Sequence, residues 1–370
     1  MGKNPELLKI TPAEILKGQE VVAKLYSFKE RFDPTFFRFF SQEIEKVRAL
    51  KPELGGLMEV GAEFALHGGK RLRPAFIYYG YKATGGKDEE GVIYASMSIE
   101  LLHAGILIHD DIIDNSELRR GRLTVHREFA ERYQDEHLGC SLAIMVGDTL
   151  LALANRVLST APFSKERLQP ARYYFDQMAT EVSWGECLGI LGNVSENVDI
   201  DWVMKVMEYK TARYTVEGPL KIGGALGGAP AEVLNSFSKY AVPLGIAFQI
   251  QDDVLGMFGD EKKVGKPVDS DLKEGKKTLL VLETLRRLKK EGRDDQVVKF
   301  GEILGNPNLT AEDYYWAQQL IRETGVLDYS QRRAWDYIKK AKLALAGVTI
   351  EEEARDYLLG IADFMLEREY

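Results

Sequence analysis

The sequence predicts an all-α protein folded as one domain with a buried centre. Three observations carry that prediction. Apolar residues recur at helical spacing through most of the 370-residue chain. No run of alternating apolar and polar residues reads as strand, and nothing has βαβ spacing. No low-complexity linker or fixed-period repeat divides the chain. Apolar residues make up 45% and charged residues 29%, the balance of an ordinary globular protein.

The elements follow in order. "DPTFFRFFSQEIEKVRAL" predicts a helix with Asp33 as N-cap and Pro34 at its first position. "DEEGVIYASMSIELLHAGILIHDDIID" predicts one long helix, and "GCSLAIMVGDTLLALANRVLS" another. Helices apolar nearly all round belong in a core. "AEVLNSFSKYAVPLGIAFQIQDDVLGMFGD" predicts a further buried helix, kinked at Pro243. "TLLVLETLRRLKKEG", "TAEDYYWAQQLIRETG" and "SQRRAWDYIKKAKLALAG" are amphipathic. Loops are expected over 85–90, 118–124, 192–199, 259–277 and 305–309.

The formal net charge is −8, which disfavours nucleic acid as a general partner. The first twenty residues carry charges throughout and do not read as a secretory signal. The longest apolar stretches, such as 99–108 and 141–146, read as too short or too interrupted to span a bilayer. No transmembrane segment and a cytoplasmic location are therefore expected. Cys140 and Cys187 have no partner at disulfide-framework or metal-ligand spacing and read as buried small hydrophobes.

The chemistry concentrates in "HDDIIDNSELRRG", which follows an apolar run. Asp110 and Asp114 share a helix face, where like charges repel and oppose the macrodipole of a helix C-terminus. A solvated acidic helix end is one reading. A divalent cation offsetting the repulsion is the other, and carboxylates suit Mg²⁺, which keeps waters and shares itself with phosphate oxygens. A second cluster, Asp252 and Asp253 in "FQIQDDVLGMFGD", again follows an apolar helical run and favours the cation reading. Cations imply a polyanionic ligand. Basic residues flank both clusters: Lys70, Arg71 and Arg73 in "GGKRLRP", Arg119 and Arg120, then Lys266, Lys276 and Lys277. Arginine forks and lysine point charges suit diphosphate. There is no Walker loop, which disfavours an NTPase.

These motifs, with "YKTARYT" and "GKPVDSDLKEGKKTLL", occur in the order found in the trans-isoprenyl diphosphate synthases, or polyprenyl synthetases, which the chain resembles over about 68–280. The resemblance implies a single domain, 1–370, of antiparallel helices around a deep central cavity, usually as a homodimer. It implies head-to-tail condensation of isopentenyl diphosphate with an allylic diphosphate (dimethylallyl, geranyl or farnesyl). By the same resemblance, Asp110, Asp111 and Asp114 form the first aspartate-rich motif and Asp252 belongs to the second. Together they hold three Mg²⁺ ions, with Mn²⁺ as a substitute. Arg119, Lys210 and Lys266 match residues on the allylic diphosphate. Lys70, Arg73, His103 and Arg120 match the isopentenyl diphosphate site. Lys210, Thr211 and Gln249 match residues beside the reacting carbons.

Three positions depart from common patterns. Gly256 stands where many members have a third aspartate, and Asp260 follows it. "WGECLG" replaces a frequent G-Q-x-x-D, with Glu186 for Gln and Gly189 for Asp, and the match gives neither a role. Short-chain members often carry Phe or Tyr one turn before the first motif, where this chain has Gly105 and Ile106. With Leu102 these form the expected cavity floor. That floor favours a geranylgeranyl (C20) product, with farnesyl (C15) or longer (C25 and above) as alternatives. Close helix packing is the other reading of Gly105. A terpene cyclase would normally carry an N-D-x-x-S-x-x-x-E motif, absent here. A non-catalytic partner subunit would tend to lose one aspartate motif, and both are present.

Overall fold

The computed structural model describes residues 12–259 and 269–367. Helices dominate, as the periodicity predicts. The first, α1 (Pro12–Leu50), begins well before the expected N-cap. Asp33 does not cap it, because its carboxylate binds Arg71 Nε at 2.9 Å and pairs with Lys29. The helix runs on through Pro34. A proline there forfeits one backbone bond and costs about 3 kcal/mol. Phe28, Phe32, Phe36 and Phe40, four residues apart and fully buried or nearly so, form a continuous ring stack with centroids 4.9–5.6 Å apart. Burying each ring stabilises by about 1.5–3 kcal/mol, which more than offsets the proline.

α2 (Pro52–Leu66) and α3 (Leu72–Lys82) lead to α4 (Glu89–Ile113), capped by Asp88, whose side chain accepts from Gly91 N at 2.9 Å. The expected loop 118–124 is instead a small antiparallel hairpin, β1 (Leu118–Arg119) and β2 (Arg122–Leu123). Two-residue strands are too short to show a period. Arg120 (φ 53) and Gly121 (φ 75) make its turn, both left-handed as such a tight hairpin requires.

After α5 (Val125–Tyr133) come α6 (Glu136–Ser159) and α7 (Lys165–Val194), which continues past the predicted loop start at 192. Then α8 (Ile200–Val206), a π-helical stretch (Met207–Glu217) and α9 (Gly218–Gly227) follow one another directly. α10 (Ala231–Phe258) is continuous across Pro243. α11 (Ser270–Lys273), α12 (Leu279–Lys290), α13 (Asp294–Ile303), α14 (Ala311–Glu323), α15 (Val326–Ala344) and α16 (Glu352–Glu367) complete the described chain. A large apolar cluster joins α1–α10 with α15 and α16, and a smaller one gathers the end of α10 with α11–α15.

α4 and α6 are long and apolar enough to cross a membrane by length and composition, which corrects the expectation that the apolar runs are too short. Both helices continue past the polar residues that interrupt the sequence pattern. Their settings differ: the apolar window of α4 is 78% buried and that of α6 only 39%. α4 is thus a core helix.

Candidate active site

The fold brings both acidic clusters to one cavity. Asp110 and Asp111 lie on the last turn of α4, and Asp114 is its C-cap. Asp252 and Asp253 lie near the end of α10. Asp114, Asp252 and Asp253 line a cavity of about 450 Å³ with Lys210, Thr211 and Gln249. Its apolar wall comes from α7 and α8, at Leu188, Val203 and Val206.

Cationic side chains already grip the first cluster. Arg119 Nε donates to Asp111 Oδ1 at 2.7 Å, and Nη2 to Asp110 Oδ2 at 3.3 Å. Lys210 Nζ stands 3.4 Å from Asp110 and 2.6 Å from Glu186. Burial would lower the pKa of Lys210, but Asp110 and Glu186 outweigh it and raise it. Thr211 Oγ1 donates to Gln249 Oε1 at 2.6 Å, and Gln249 Nε2 donates to Asp253 Oδ1 at 2.8 Å. Lys210 and Thr211 sit in the π-helical stretch, a wide turn that recurs at functional sites.

Beside this lies a second cationic group. Arg73 donates to Thr215 Oγ1 at 2.9 Å, lies 3.3 Å from His103 Nε2, and stacks over the Tyr214 ring at 4.6 Å. His103 Nδ1 is 2.8 Å from Tyr214 OH. Burial, then Arg73 and Arg120, hold the His103 pKa well below its usual value, so the imidazole is neutral. Arg120 bonds the His67 carbonyl at 2.5 Å and leans over Gly68 and Gly69. Those glycines have φ of 75° and 86°, a left-handed backbone that other residues rarely adopt. Lys70 lies 5.3 Å from the Phe364 ring of α16.

The structure redirects two sequence expectations. Arg71 is no ligand candidate: it is 2% exposed and tied to Asp33, Glu100 and the Ala65 and Leu66 carbonyls. Gly105 is a helix contact, because a Cβ there would stand 2.9 Å from both Gly147 O and Leu151 Cδ2 on α6. Leu102 is buried in the same core and Ile106 packs against it, and none of the three lines the cavity described above. α6 thus closes the gap that the missing side chain leaves, as the packing reading of Gly105 has it. Lys266 and Asp260 lie outside the described residues.

Asp271 in the cavity, and Tyr214 and Thr215 beside Arg73, carry no clear signal in the sequence, whereas Lys276, also in the cavity, is among the basic residues read there. Asp271 is buried, and a Cβ on Gly256 would come within 2.7 Å of its Oδ2, so this carboxylate takes the space that a side chain at 256 would need. Lys276 pairs with Glu274 at 2.6 Å and Asp271 at 3.5 Å. Tyr214 and Thr215 follow Thr211 in "YKTARYT" but have no charge to mark them.

The donor set fits a hard cation shared with a polyanion. Among the described residues no three carboxylates or imidazoles form a cage by themselves, and Mg²⁺ needs none when water and phosphate oxygens complete its shell. Asp111 Oδ2 is buried without a hydrogen-bond partner among the described residues. Burial pushes the Asp111 pKa up to about 6, with Arg119 opposing. Burial and then Asp110 push Asp114 up to about 6 as well. A cation at these carboxylates would offset the burial and mutual repulsion that raise them.

Comparison with known proteins agrees. The polyprenyl synthetase family model matches residues 56–314. The chain is 34% identical to geranylfarnesyl diphosphate synthase of Aeropyrum pernix over 306 residues, covering 81% of this chain and 91% of that one. It is 35% identical to geranylgeranyl diphosphate synthase of Methanosarcina mazei, covering 82% and 87%. The crystal structure of geranylgeranyl pyrophosphate synthase from Corynebacterium glutamicum, complexed with isoprenyl diphosphate and magnesium, superposes with a TM-score of 0.85 at 31% identity, covering 91% and 99%. With this fold, this cavity and these relatives, the chain belongs to the polyprenyl synthetase family, the trans-isoprenyl diphosphate synthases, and is a prenyltransferase.

Proposed function

We propose that the protein condenses isopentenyl diphosphate head-to-tail with an allylic diphosphate in the presence of Mg²⁺, with geranylgeranyl diphosphate as its product. One observation carries the reading: two acidic clusters far apart in sequence face one cavity that also holds Lys210, Thr211 and Gln249. When bound, Mg²⁺ supplies Lewis-acid neutralisation of the leaving diphosphate. The chain's own residues do the rest. Asp110, Asp111, Asp114 and Asp252 hold the cations, and Arg119 and Lys210 meet the charge that grows as the allylic C–O bond breaks. Thr211 and Gln249, fixed by their mutual bond and by Asp253, present oxygen dipoles beside the developing carbocation. Arg73, Arg120, Lys70 and neutral His103 hold the second diphosphate. The double bond of isopentenyl diphosphate attacks the allylic cation, and a proton then leaves, with the departed diphosphate as its acceptor. No protein nucleophile is needed.

Relatives named geranylgeranyl and geranylfarnesyl diphosphate synthase support a C20 product, with C25 as the alternative. The reading includes a homodimer, supported by Leu138, Ile144 and Met145, which are exposed on α6. It also includes the cytoplasm, where Cys140, half-buried, and Cys187, exposed rather than buried as the sequence suggests, would stay reduced as free thiols. Incubation of the purified chain with labelled isopentenyl diphosphate, Mg²⁺ and each of the dimethylallyl, geranyl and farnesyl primers tests the function. Label should enter a C20 product, and chelation should stop it. No incorporation with any primer would contradict the reading, and a product ending at C15 would contradict its length.

A further inference from the structure

α7 carries Glu186 into the cavity wall, its carboxylate 2.6 Å from Lys210 Nζ. The preceding residue makes this contact possible. A Cβ on Gly185 would stand 2.3 Å from Lys210 N and 2.7 Å from Tyr209 C, so only glycine lets α7 lie directly on the π-helical backbone. The pair is thus built by the close approach of two helices rather than by two long side chains meeting at a surface.

Lys210 is shared. Its ammonium also stands 3.4 Å from Asp110, which Arg119 reaches from another side at 3.3 Å. A cation at Asp110 would draw that carboxylate from Lys210 and leave the ammonium with Glu186. We propose that Glu186 is a positioning residue for the allylic diphosphate: it holds Lys210 at the cavity wall at 2.6 Å and keeps the looser 3.4 Å contact with Asp110 from tightening. The inference rests on the prenyl-transfer reading. Lysine is a point charge on a flexible four-carbon stem, so its place depends on the partner that fixes it. A glutamine at 186, the residue this chain replaces, would offer a neutral acceptor, and neutral bonds are about half as strong as charge-assisted ones. Lys210 would then close on Asp110 and compete with the cation for it.

The test compares wild type with Glu186→Gln, Glu186→Asp and Lys210→Ala. Each is titrated calorimetrically with inorganic pyrophosphate at fixed Mg²⁺ and assayed against both substrates. Glu186→Gln should weaken pyrophosphate binding and raise the KM for the allylic diphosphate about tenfold. It should leave the KM for isopentenyl diphosphate and the melting temperature unchanged, and Glu186→Asp should recover most of the loss. Unchanged pyrophosphate affinity in Glu186→Gln would overturn the proposal. So would an equal rise in both KM values, or a fall in melting temperature that accounts for the loss. If wild type turns over and Lys210→Ala loses pyrophosphate while Glu186→Gln keeps it, the role of Glu186 alone fails. If wild type neither binds pyrophosphate nor turns over, the prenyl-transfer reading fails.

Discussion

Asp110→Ala should lower kcat/KM by about a thousandfold or more while the melting temperature stays near that of wild type. The residue takes part in two ion pairs, with Lys210 at 3.4 Å and with Arg119 at 3.3 Å, yet neither cation is orphaned without it. Lys210 retains Glu186, and Arg119 retains Asp111. The substitution also removes one of three carboxylates crowded at the end of α4, where their mutual repulsion and the helix dipole both oppose folding. Stability is therefore spared. The reaction loses the carboxylate that belongs to both the cation site and the charge network around Lys210. Steady-state kinetics with both diphosphates and a thermal melt check the two halves, and near-normal turnover would remove Asp110 from the metal site.

Arg71→Ala should have the opposite profile, destabilising the fold by about 3–5 kcal/mol, the usual cost of breaking a buried ion pair by removing one partner. Arg71 is 2% exposed and adopts a left-handed backbone (φ 56) at the N-cap of α3. Its guanidinium joins α1 through Asp33, α4 through Glu100 and the end of α2 through two carbonyls at 3.0 and 3.1 Å, and it lies against the Phe32 and Phe36 rings. Without it, buried Glu100 loses the guanidinium that its carboxylate binds. Lysine cannot replace a planar fork serving four acceptors. Denaturant unfolding measures the loss, and a cost below about 1 kcal/mol would contradict this structural role.

Asp110 stands out in the sequence and Arg71 does not. The two acidic clusters are legible because nothing structural asks for paired aspartates at the ends of apolar helices, and the same oddity occurs twice. Arg71 is not legible, because in "GGKRLRP" it has the same chemistry as Lys70 and Arg73. Only burial separates an arginine that ties three helices together from one that faces His103 and Thr215. The long helices follow from their period. The start of α1 does not, since Asp33 and Pro34 imitate a helix start while a phenylalanine stripe spans the proline. The π-helical turns around Lys210 leave no trace in a pattern read at helical spacing. Gly105 is ambiguous in sequence because a missing side chain can mean open space or a close neighbour, and Gly147 O on α6 settles which.

The central claim is that both acidic clusters act on one diphosphate through shared cations. Crystals grown with Mn²⁺ and inorganic pyrophosphate, measured for anomalous scattering, test it most directly. The account predicts Mn²⁺ peaks beside Asp110 and Asp114 and beside Asp252, with pyrophosphate between them and Lys210 and Arg119 on its oxygens. Mn²⁺ at one cluster only, or pyrophosphate bound away from Lys210, would contradict it.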